Sequence, residues 1–556
     1  MPKLMKPKGG KDSNTKEILI KFMKTTSIRG LPRIINSESK TWRMVHIVFF
    51  LSALTLTTYM VQQTLTDYFQ YHVSTKTYII RDGENAYFPD ITLCNINPHS
   101  DKFEDYLRDV LLKALNKSDI DTSGLNDNDI FDIWKTVEKQ GMNGWLNNIT
   151  NSLTFVHTSL TSRQQEMSGH KKEDFIRDCN MMAWYGEEEQ ACKMDHIILH
   201  RDLQKLNCYT FQLQTQQDKL QMRKTCGVSF VLFLAPTKHF VFPEIPKYFP
   251  SSNGVIVYIH EPNTMPSKSK GFTVSPGFET RVSMSVVHSI QQPAPYGNCK
   301  EDFENIKSGD REFVYEYDTC IAKCAQEAIT KTCRCLWEEA PPFGDYSYCK
   351  NVSLPIKTLI NNMKCQYDAS TKLVSSYNSG QKLCNHCKDK CKKYTYLNSI
   401  SQSVWPDVST HLGIYKQYIQ NVTKYKDFFT EYEELLIGKG KNLNMTEKYT
   451  KLRAYNRVKD SLIKLDVMLN SKDVMTYEQK KIWTPVSLCA SLAATLIFGI
   501  GFTYFAVAEI LECIFNIIKS CFKSRKNTRD FQSEPDRDDI KMENLDHTEY
   551  NTSTLS

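Results

Sequence analysis

Two cysteine clusters hold the densest chemistry in this chain. Cys333-x-Cys335 and Cys384-x-x-Cys387-x-x-x-Cys391 have metal-ligand spacing, and in a reducing compartment such thiolates would suit zinc. In an oxidising compartment the same thiols form disulfides, so location decides between the two. Acidic runs at Glu187-Glu188-Glu189 and Glu338-Glu339 are the other concentration of titratable groups. Carboxylates brought together raise each other's pKa and can sense protons. There is no Gly-x-Ser-x-Gly, His-Glu-x-x-His or phosphate loop, and the carboxylates have no accompanying nucleophile or base. An enzyme is therefore not expected, nor a catalytic residue, a cofactor or a resident metal.

The elements around these residues settle the compartment. Val45–Val61 is an apolar run just long enough to cross about 30 Å of hydrocarbon, and Val486–Ala508 is a longer run with no charged residue. The 24% charged residues and mean hydropathy of −0.44 hide both spans, which only a local reading finds. Eleven Lys or Arg against three Asp or Glu precede Val45, and Lys519, Lys523, Arg525, Lys526 and Arg529 follow the second run. Basic flanks stay in the cytosol, so both termini are placed inside and the chain between the spans outside. No cleavable signal is read before the first span. The expected boundaries are a cytosolic segment 1–43, a span 44–64, an extracellular domain 65–483, a span 484–515 and a cytosolic tail 516–556. Five Asn-x-Ser/Thr triplets, at Asn116, Asn148, Asn351, Asn421 and Asn444, are glycosylation candidates on the outer side. The net charge of +7 lies mostly in the cytosolic flanks and implies no nucleic-acid partner.

Fifteen of the eighteen cysteines fall between the spans, ten of them within Cys299–Cys391. That location makes disulfides the reading, and a stiff, cross-linked rod is expected. Fifteen is odd, so one thiol is free or paired between chains, and spacing alone permits many connectivities. Cys489, Cys513 and Cys521 lie in or below the membrane and are read as reduced.

Tyr78 to Cys94 reads as β-rich, Phe103–Leu115 and Ile130–Gln140 as helical, and Val228–Leu234 and Val255–His260 as strands of a mixed sheet. Tyr317–Thr330 has a helical pattern. A lysine-rich stretch, His411–Leu469, reads as a helix returning to the membrane, and the chain after Phe522 as a disordered tail.

At several ordered motifs between Ser27 and Glu512 the chain resembles the degenerin/epithelial sodium channel superfamily, especially its acid-sensing and peptide-gated branches. The motifs are Phe88-Pro89 to Cys94-Asn95, Asn207-Cys208-Tyr209-Thr210-Phe211, Pro276-Gly277-Phe278, Pro295-Tyr296-Gly297-Asn298-Cys299, Tyr315 with Cys320 and Cys324, and Glu478-Gln479-Lys480-Lys481. The resemblance implies an α+β membrane protein with two transmembrane helices and a large disulfide-rich extracellular domain, in which a β-sheet palm carries finger, knuckle and thumb. It also implies a trimer, of identical chains or with related subunits. The pairing it implies is Cys94–Cys208, Cys179–Cys192, Cys299–Cys391, Cys320–Cys387, Cys324–Cys384, Cys333–Cys365 and Cys335–Cys349, leaving Cys226.

The resemblance places a selectivity filter at Gly501-Phe502-Thr503, where the family has Gly-x-Ser, with sodium as the permeant ion. Small residues let three helices approach, and an interrupted helix exposes carbonyls that replace ion water. Glu509 and Glu512 follow as inner-mouth carboxylates that concentrate cations. Ala490 stands at the degenerin position, where a small side chain lets the outer pore close, and Ser491 replaces the Asp of acid-sensing members. Gly30 is expected to shape a re-entrant segment, with Arg29 where the family has His. Tyr71, His72 and Tyr296 match an aromatic contact that transmits thumb movement to the pore. Amiloride block is implied. For the stimulus, an amidated Arg-Phe peptide ranks above protons, because acidic positions expected after His72 in proton-gated members are replaced by Thr77-Tyr78. An ATP-gated channel, a membrane-anchored receptor and a tethered enzyme are the competing classes. The first would show clustered basic residues for phosphates. The second has no need of Gly501 and Glu509 in its span.

Overall fold

The computed structural model describes residues 12–81, 88–117, 133, 153–184, 190–213, 225–236, 252–378 and 384–530. The chain divides into two compact units, one of residues 1–72 with 481–556 and one of residues 73–480.

The first unit opens with α1 (Asp12–Thr25), α2 (Leu31–Asn36) and α3 (Lys40–Phe69). Thirty residues at 1.5 Å rise make α3 about 45 Å long. It is long and apolar enough to cross a membrane. The sequence bounded this span at 44–64, and the helix overruns both ends because no Gly or Pro interrupts Lys40–Phe69.

In the second unit, β1 (Val73–Ile80), β2 (Asp90–Asn95), α4 (Phe103–Lys117), β3 (Ile176–Ala183), β4 (Gln190–Ala191), β5 (Ile197–Asp202), β6 (Leu206–Phe211), β7 (Thr225–Phe233), β8 (Val255–His260), β9 (Phe272–Val274) and β10 (Phe278–Ile290) come first. β11 (Ile306–Ser308) and β12 (Arg311–Phe313) form a hairpin before α5 (Tyr317–Cys333) and α6 (Ile356–Asn378), followed by β13 (Lys392–Val404) and β14 (Leu462–Lys481). A seven-stranded sheet runs β13-β10-β14-β7-β3-β4 with β1 also on β14, and a five-stranded sheet runs β5-β6-β2-β8-β9. β10 shows why: Thr280, Val282, Met284 and Val286 alternate inward, the period of two that puts one strand face on a core. Val282, Met284 and Val286 pack with Ile463, Leu465 and Val467 of β14, Phe230 of β7 and Ile91, Leu93 and Phe211 of the smaller sheet in one apolar cluster. β2 and β6 are buried along their whole length.

The α5–α6 lobe is held by cross-links. Cys320 and Cys324, four apart on one face of α5, bond to Cys387 and Cys384. Cys333–Cys365 ties α5 to α6, Cys335–Cys349 closes the loop between them, and Cys299–Cys391 joins the two chain ends of the lobe. Cys94–Cys208 joins β2 to β6, and Cys179–Cys192 joins β3 to the residue that follows β4. These are the seven pairs the resemblance implied, and Cys226 lies outside them.

The expected His411–Leu469 helix is overturned. Short helical turns run from His411 to Ser461, broken near Asn421, Gly438–Gly440 and Asn442–Asn444, and pack Tyr415, Tyr425, Phe429 and Tyr432 into an aromatic core. From Leu462 the chain is β14, whose Ile463, Leu465, Val467 and Leu469 alternate with Lys464, Asp466 and Met468. That is strand periodicity which the lysine content masked. β14 pairs in parallel with β10 and antiparallel with β7. Ile133 is the one described residue of the expected Ile130–Gln140 helix apart from masked neighbours on either side, so that reading lies outside the described residues.

The chain returns to the first unit as α7 (Pro485–Ile500) and α8 (Tyr504–Asp530). Thr484 caps α7 by accepting from the Ser487 N–H at 3.1 Å, while Ser487 Oγ accepts from the Thr484 N–H at 2.8 Å. Pro485 occupies the first turn, where its missing N–H is not needed. Gly501, read from the sequence as the middle of a long apolar run with an interruption at the filter, stands where the two helices meet at a 75° bend. α8 runs past Phe522, where the sequence reading ended ordered chain, because Lys523–Asp530 contains no helix breaker.

Candidate functional site

The bend between α7 and α8 is built by Gly501. Its backbone is left-handed (φ 68°, ψ 27°), a conformation that glycine adopts without the Cβ penalty. From there Gly501 N–H donates to Ile497 O at 3.0 Å and Phe502 N–H to Leu496 O at 3.1 Å, satisfying carbonyls that a helix end leaves open. Thr503 then starts α8, accepting from Val507 N–H at 3.3 Å. Gly501, Phe502 and Thr503 are thus the three residues between the helices.

The amino-terminal segment docks on this break. Arg29 N–H donates to Ile500 O, the last carbonyl of α7, at 3.0 Å. The stem of Arg29 lies over Gly501, where a Cβ would stand 2.6 Å from Arg29 Cγ. Since the bond uses the backbone amide, Arg supplies it as well as the family's His would. Gly30 turns the chain into α2 with φ 100°, close against the Phe50 ring. Eight residues below Gly501, the Glu509 carboxylate accepts from Thr26 Oγ1 at 2.8 Å, Ser27 N–H at 2.8 Å and Ser27 Oγ at 3.2 Å, all on Oε2. Hydroxyl and amide donors of this kind make strong, charge-assisted hydrogen bonds to a carboxylate. Glu512 lies near the next turn and is exposed.

The sequence reading missed Thr26 and Ser27. Their signal is a hydroxyl run, Thr25-Thr26-Ser27, just before Arg29-Gly30 at the end of an amphipathic helix. It also missed Thr57 on α3, buried against Gly499 of α7. Ala490 is exposed on α7 and Ser491 half-buried, its carbonyl accepting from Thr495 Oγ1 at 2.9 Å. At the far end of α3, Tyr71 is left-handed (φ 54°) and His72 Nε2 lies 2.7 Å from Gln70 Oε1. Tyr296 belongs to the other unit, where its N–H donates to Pro293 O at 3.1 Å.

In the second unit Glu338 is buried and committed. It pairs with Lys350 Nζ at 2.5 Å and accepts from Gln366 Nε2 at 2.8 Å. Glu339 accepts from Gln204 Nε2 at 2.8 Å instead of meeting its neighbour. Glu187-Glu188-Glu189 and Asn148 lie outside the described residues. Asn116, Asn421 and Asn444 are exposed and Asn351 half-buried. A cleft of about 1050 Å³ beside the α5–α6 loop is lined by seven carboxylates, Glu166, Asp202, Asp310, Asp318, Glu338, Glu339 and Asp345, against four cations, Arg201, Lys205, Lys268 and Arg311. Near its wall, Asp90 of β2 is buried and accepts from Gln212 Nε2 at 2.6 Å and Asn263 N–H at 2.7 Å. Desolvation pushes its carboxyl up to about 7. The sequence offered no sign of this beyond an acid inside an apolar strand.

Residues 22–513 match the family described as amiloride-sensitive sodium channel. The chain belongs to that family. Within the amiloride-sensitive sodium channel family it is similar to an FMRFamide-activated amiloride-sensitive sodium channel of Cornu aspersum, 21% identical, with 92% of this chain and 84% of the relative covered. It is 22% identical to acid-sensing ion channel 1A of Danio rerio, covering 90% of this chain and 88% of that one. It is also 22% identical to the bile acid-sensitive ion channel of Homo sapiens, covering 89% and 85%. As a member of the amiloride-sensitive sodium channel family, the chain has ion channels for relatives and carries its broken helix within the matched region.

Proposed function

We propose that this chain is a subunit of a ligand-gated, amiloride-sensitive sodium channel of the plasma membrane. The observation that carries the reading is the left-handed break at Gly501, held by the amino-terminal segment through Arg29 and Glu509. Broken helical backbone at membrane depth is tolerated where it is buried in protein or lines a water-filled cavity, which a simple anchor does not need. In this reading two spans cross the bilayer with both termini cytosolic, at 44–64 and 484–515, and residues 65–483 face outward. Three chains, identical or related, bring Gly501-Phe502-Thr503 together as a filter through which sodium passes. Ala490 and Ser491 line the gate above it. Glu509 and Glu512 stand at the inner mouth, with Glu509 also anchoring the re-entrant segment shaped by Gly30. Tyr71, His72 and Tyr296 couple the thumb to the spans, and Asn116, Asn148, Asn351, Asn421 and Asn444 are glycan acceptors.

An extracellular amidated peptide is the preferred stimulus. The acidic excess of the cleft beside the α5–α6 loop suits a cationic ligand, and one of the relatives is FMRFamide-activated. Protons are the second reading, favoured by Asp90, whose carboxyl titrates near neutrality. Voltage-clamp recording from cells expressing this chain, exposed in turn to amidated peptides and to acid, tests both. A sodium-carrying, amiloride-blocked current evoked by one stimulus is expected. If only an Ala490→Phe variant conducts, the pore assignment stands and the stimulus or a partner subunit is missing. If neither conducts despite surface expression, a homomeric channel is ruled out.

A further inference from the structure

Three adjacent hydroxyls end the first helix, and they are not equivalent. Thr25 Oγ1 donates back to Lys21 O at 3.0 Å inside α1. Thr26 is buried. Ser27 lies outside the helix, is exposed, and supplies two of the three hydrogen bonds to Glu509 Oε2, one from its amide and one from its hydroxyl. It is also the hydroxyl in a strongly basic context, with Lys24 three residues before it, Lys21 six before and Arg29 two after, and with no Asp or Glu between Ile18 and Ser37. Basic residues at these offsets are the charge pattern that basophilic kinases read in their substrates.

We propose that Ser27 is a phosphorylation site through which a basophilic serine/threonine kinase unlatches the amino-terminal segment from the broken helix. In that step Ser27 Oγ bonds to the γ-phosphorus of a nucleoside triphosphate and the β–γ bridge is broken. A nucleoside diphosphate leaves, and the hydroxyl proton passes to the base of the kinase. The product loses its hydroxyl donor and carries a charge of about −1.5 to −2 at neutral pH. The charged phosphoryl group is carried on Oγ, which in the docked segment stands 3.2 Å from a carboxylate oxygen. Like-charge repulsion then opposes redocking, and Arg29, two residues on, loses its place on Ile500 O. The kinase captures the segment when it is released and keeps it released. The proposal rests on the reading above in one respect, that Ser27 faces the cytosol.

The test uses the full-length chain in membranes treated with the catalytic subunit of a basophilic kinase and ATP. Three quantities are read: phosphate at Ser27 by peptide mass spectrometry, proteinase K cleavage before residue 40, and open probability in inside-out patches. Phosphate at Ser27 is expected, with cleavage raised at least threefold and open probability lowered at least threefold at unchanged unitary current. Ser27→Ala keeps the amide donor and should lose all three responses, whereas Thr25→Ala should keep them. Ser27→Asp should reproduce the second and third without kinase. The proposal is overturned if Ser27 stays unmodified while other sites are fully labelled, if it is labelled with cleavage unchanged, or if Ser27→Ala still responds. Should no patch conduct, the channel reading fails, while phosphate and cleavage still decide this proposal.

Discussion

Gly499 of α7 lies so close to Thr57 of α3 that a methyl group on Gly499 would stand 2.0 Å from the threonine hydroxyl. Thr57 has no slack, because Oγ1 already donates to Ala53 O at 2.7 Å and the residue is buried. Small residues at such a crossing let two helices approach closely. Gly499→Ala should therefore destabilise the pair by about 1–3 kcal/mol, the usual cost of overpacking. Cell-surface yield and melting temperature of the solubilised protein should both fall. Thr57→Ala in the same chain should restore most of the loss, which a defect unrelated to the contact would not permit.

Gly501→Ala meets two obstacles. A left-handed backbone costs an alanine about 1–2 kcal/mol, and its methyl would press on Arg29 Cγ. Reduced sodium current at normal surface expression is the expected result. Partial recovery is expected with Arg29→Gly, which removes the side chain and leaves the amide.

Asp90 makes stability depend on pH in a particular direction. Its folded carboxyl sits at about 7 against 3.8 for the free side chain, chiefly through desolvation. Between these values the folded state holds a proton that the unfolded state has lost. The group's contribution is greatest below about 4, declines as pH rises to 7, and remains a penalty above. Asp90→Asn keeps an oxygen for Gln212 and Asn263 and removes the charge. It should stabilise the protein by about 2–4 kcal/mol at pH 8 and little at pH 4. Melts of the solubilised chain at both pH values measure this. Burial acts in the opposite sense on His157 and His260, lowering them to about 4 and about 3. Their contribution is complete above about 6.5 and is lost as pH falls toward those values.

Glu338 is predicted to be structural. Glu338→Ala strands Lys350, whose side chain keeps 26% exposure. Its cost should therefore lie at about 2 kcal/mol, below the 3–5 of a fully buried broken pair. Melting temperature should drop without any shift in the pH of half-activation of an acid-evoked current. A shifted midpoint at unchanged stability would return Glu338 to the proton-sensing role.

Much of the arrangement was readable where the signal is local. Alternating apolar runs marked Val228–Leu234 and Val255–His260, and Gly501 marked a special place in an apolar helix. What escaped notice depends on partners far away along the chain. β14 does alternate locally, but the lysine content masked that signal, and its pairing with β7 and β10 lies far away along the chain. Nothing local to Glu509 announces Thr26, 483 residues earlier, and nothing near Thr57 announces a glycine on another helix. The interruption at Gly501 was expected from the resemblance, but its left-handed form was not, since a glycine in an apolar run is equally compatible with a straight helix.

Cys299 and Cys391 are 92 residues apart in sequence, yet their Cα atoms stand 5.0 Å apart. Just outside them Ile290 pairs with Lys392, and Gln291 N–H donates to Cys391 O at 2.7 Å, so β10 and β13 meet as if joined by a short turn. The whole cross-linked lobe is in effect a cassette spliced into a hairpin, with its ends clamped to hairpin spacing. Insertions or deletions inside it leave strand register untouched. A lobe from a relative, transplanted with its own cysteines, would meet the same two strand ends without requiring the sheet to be rebuilt.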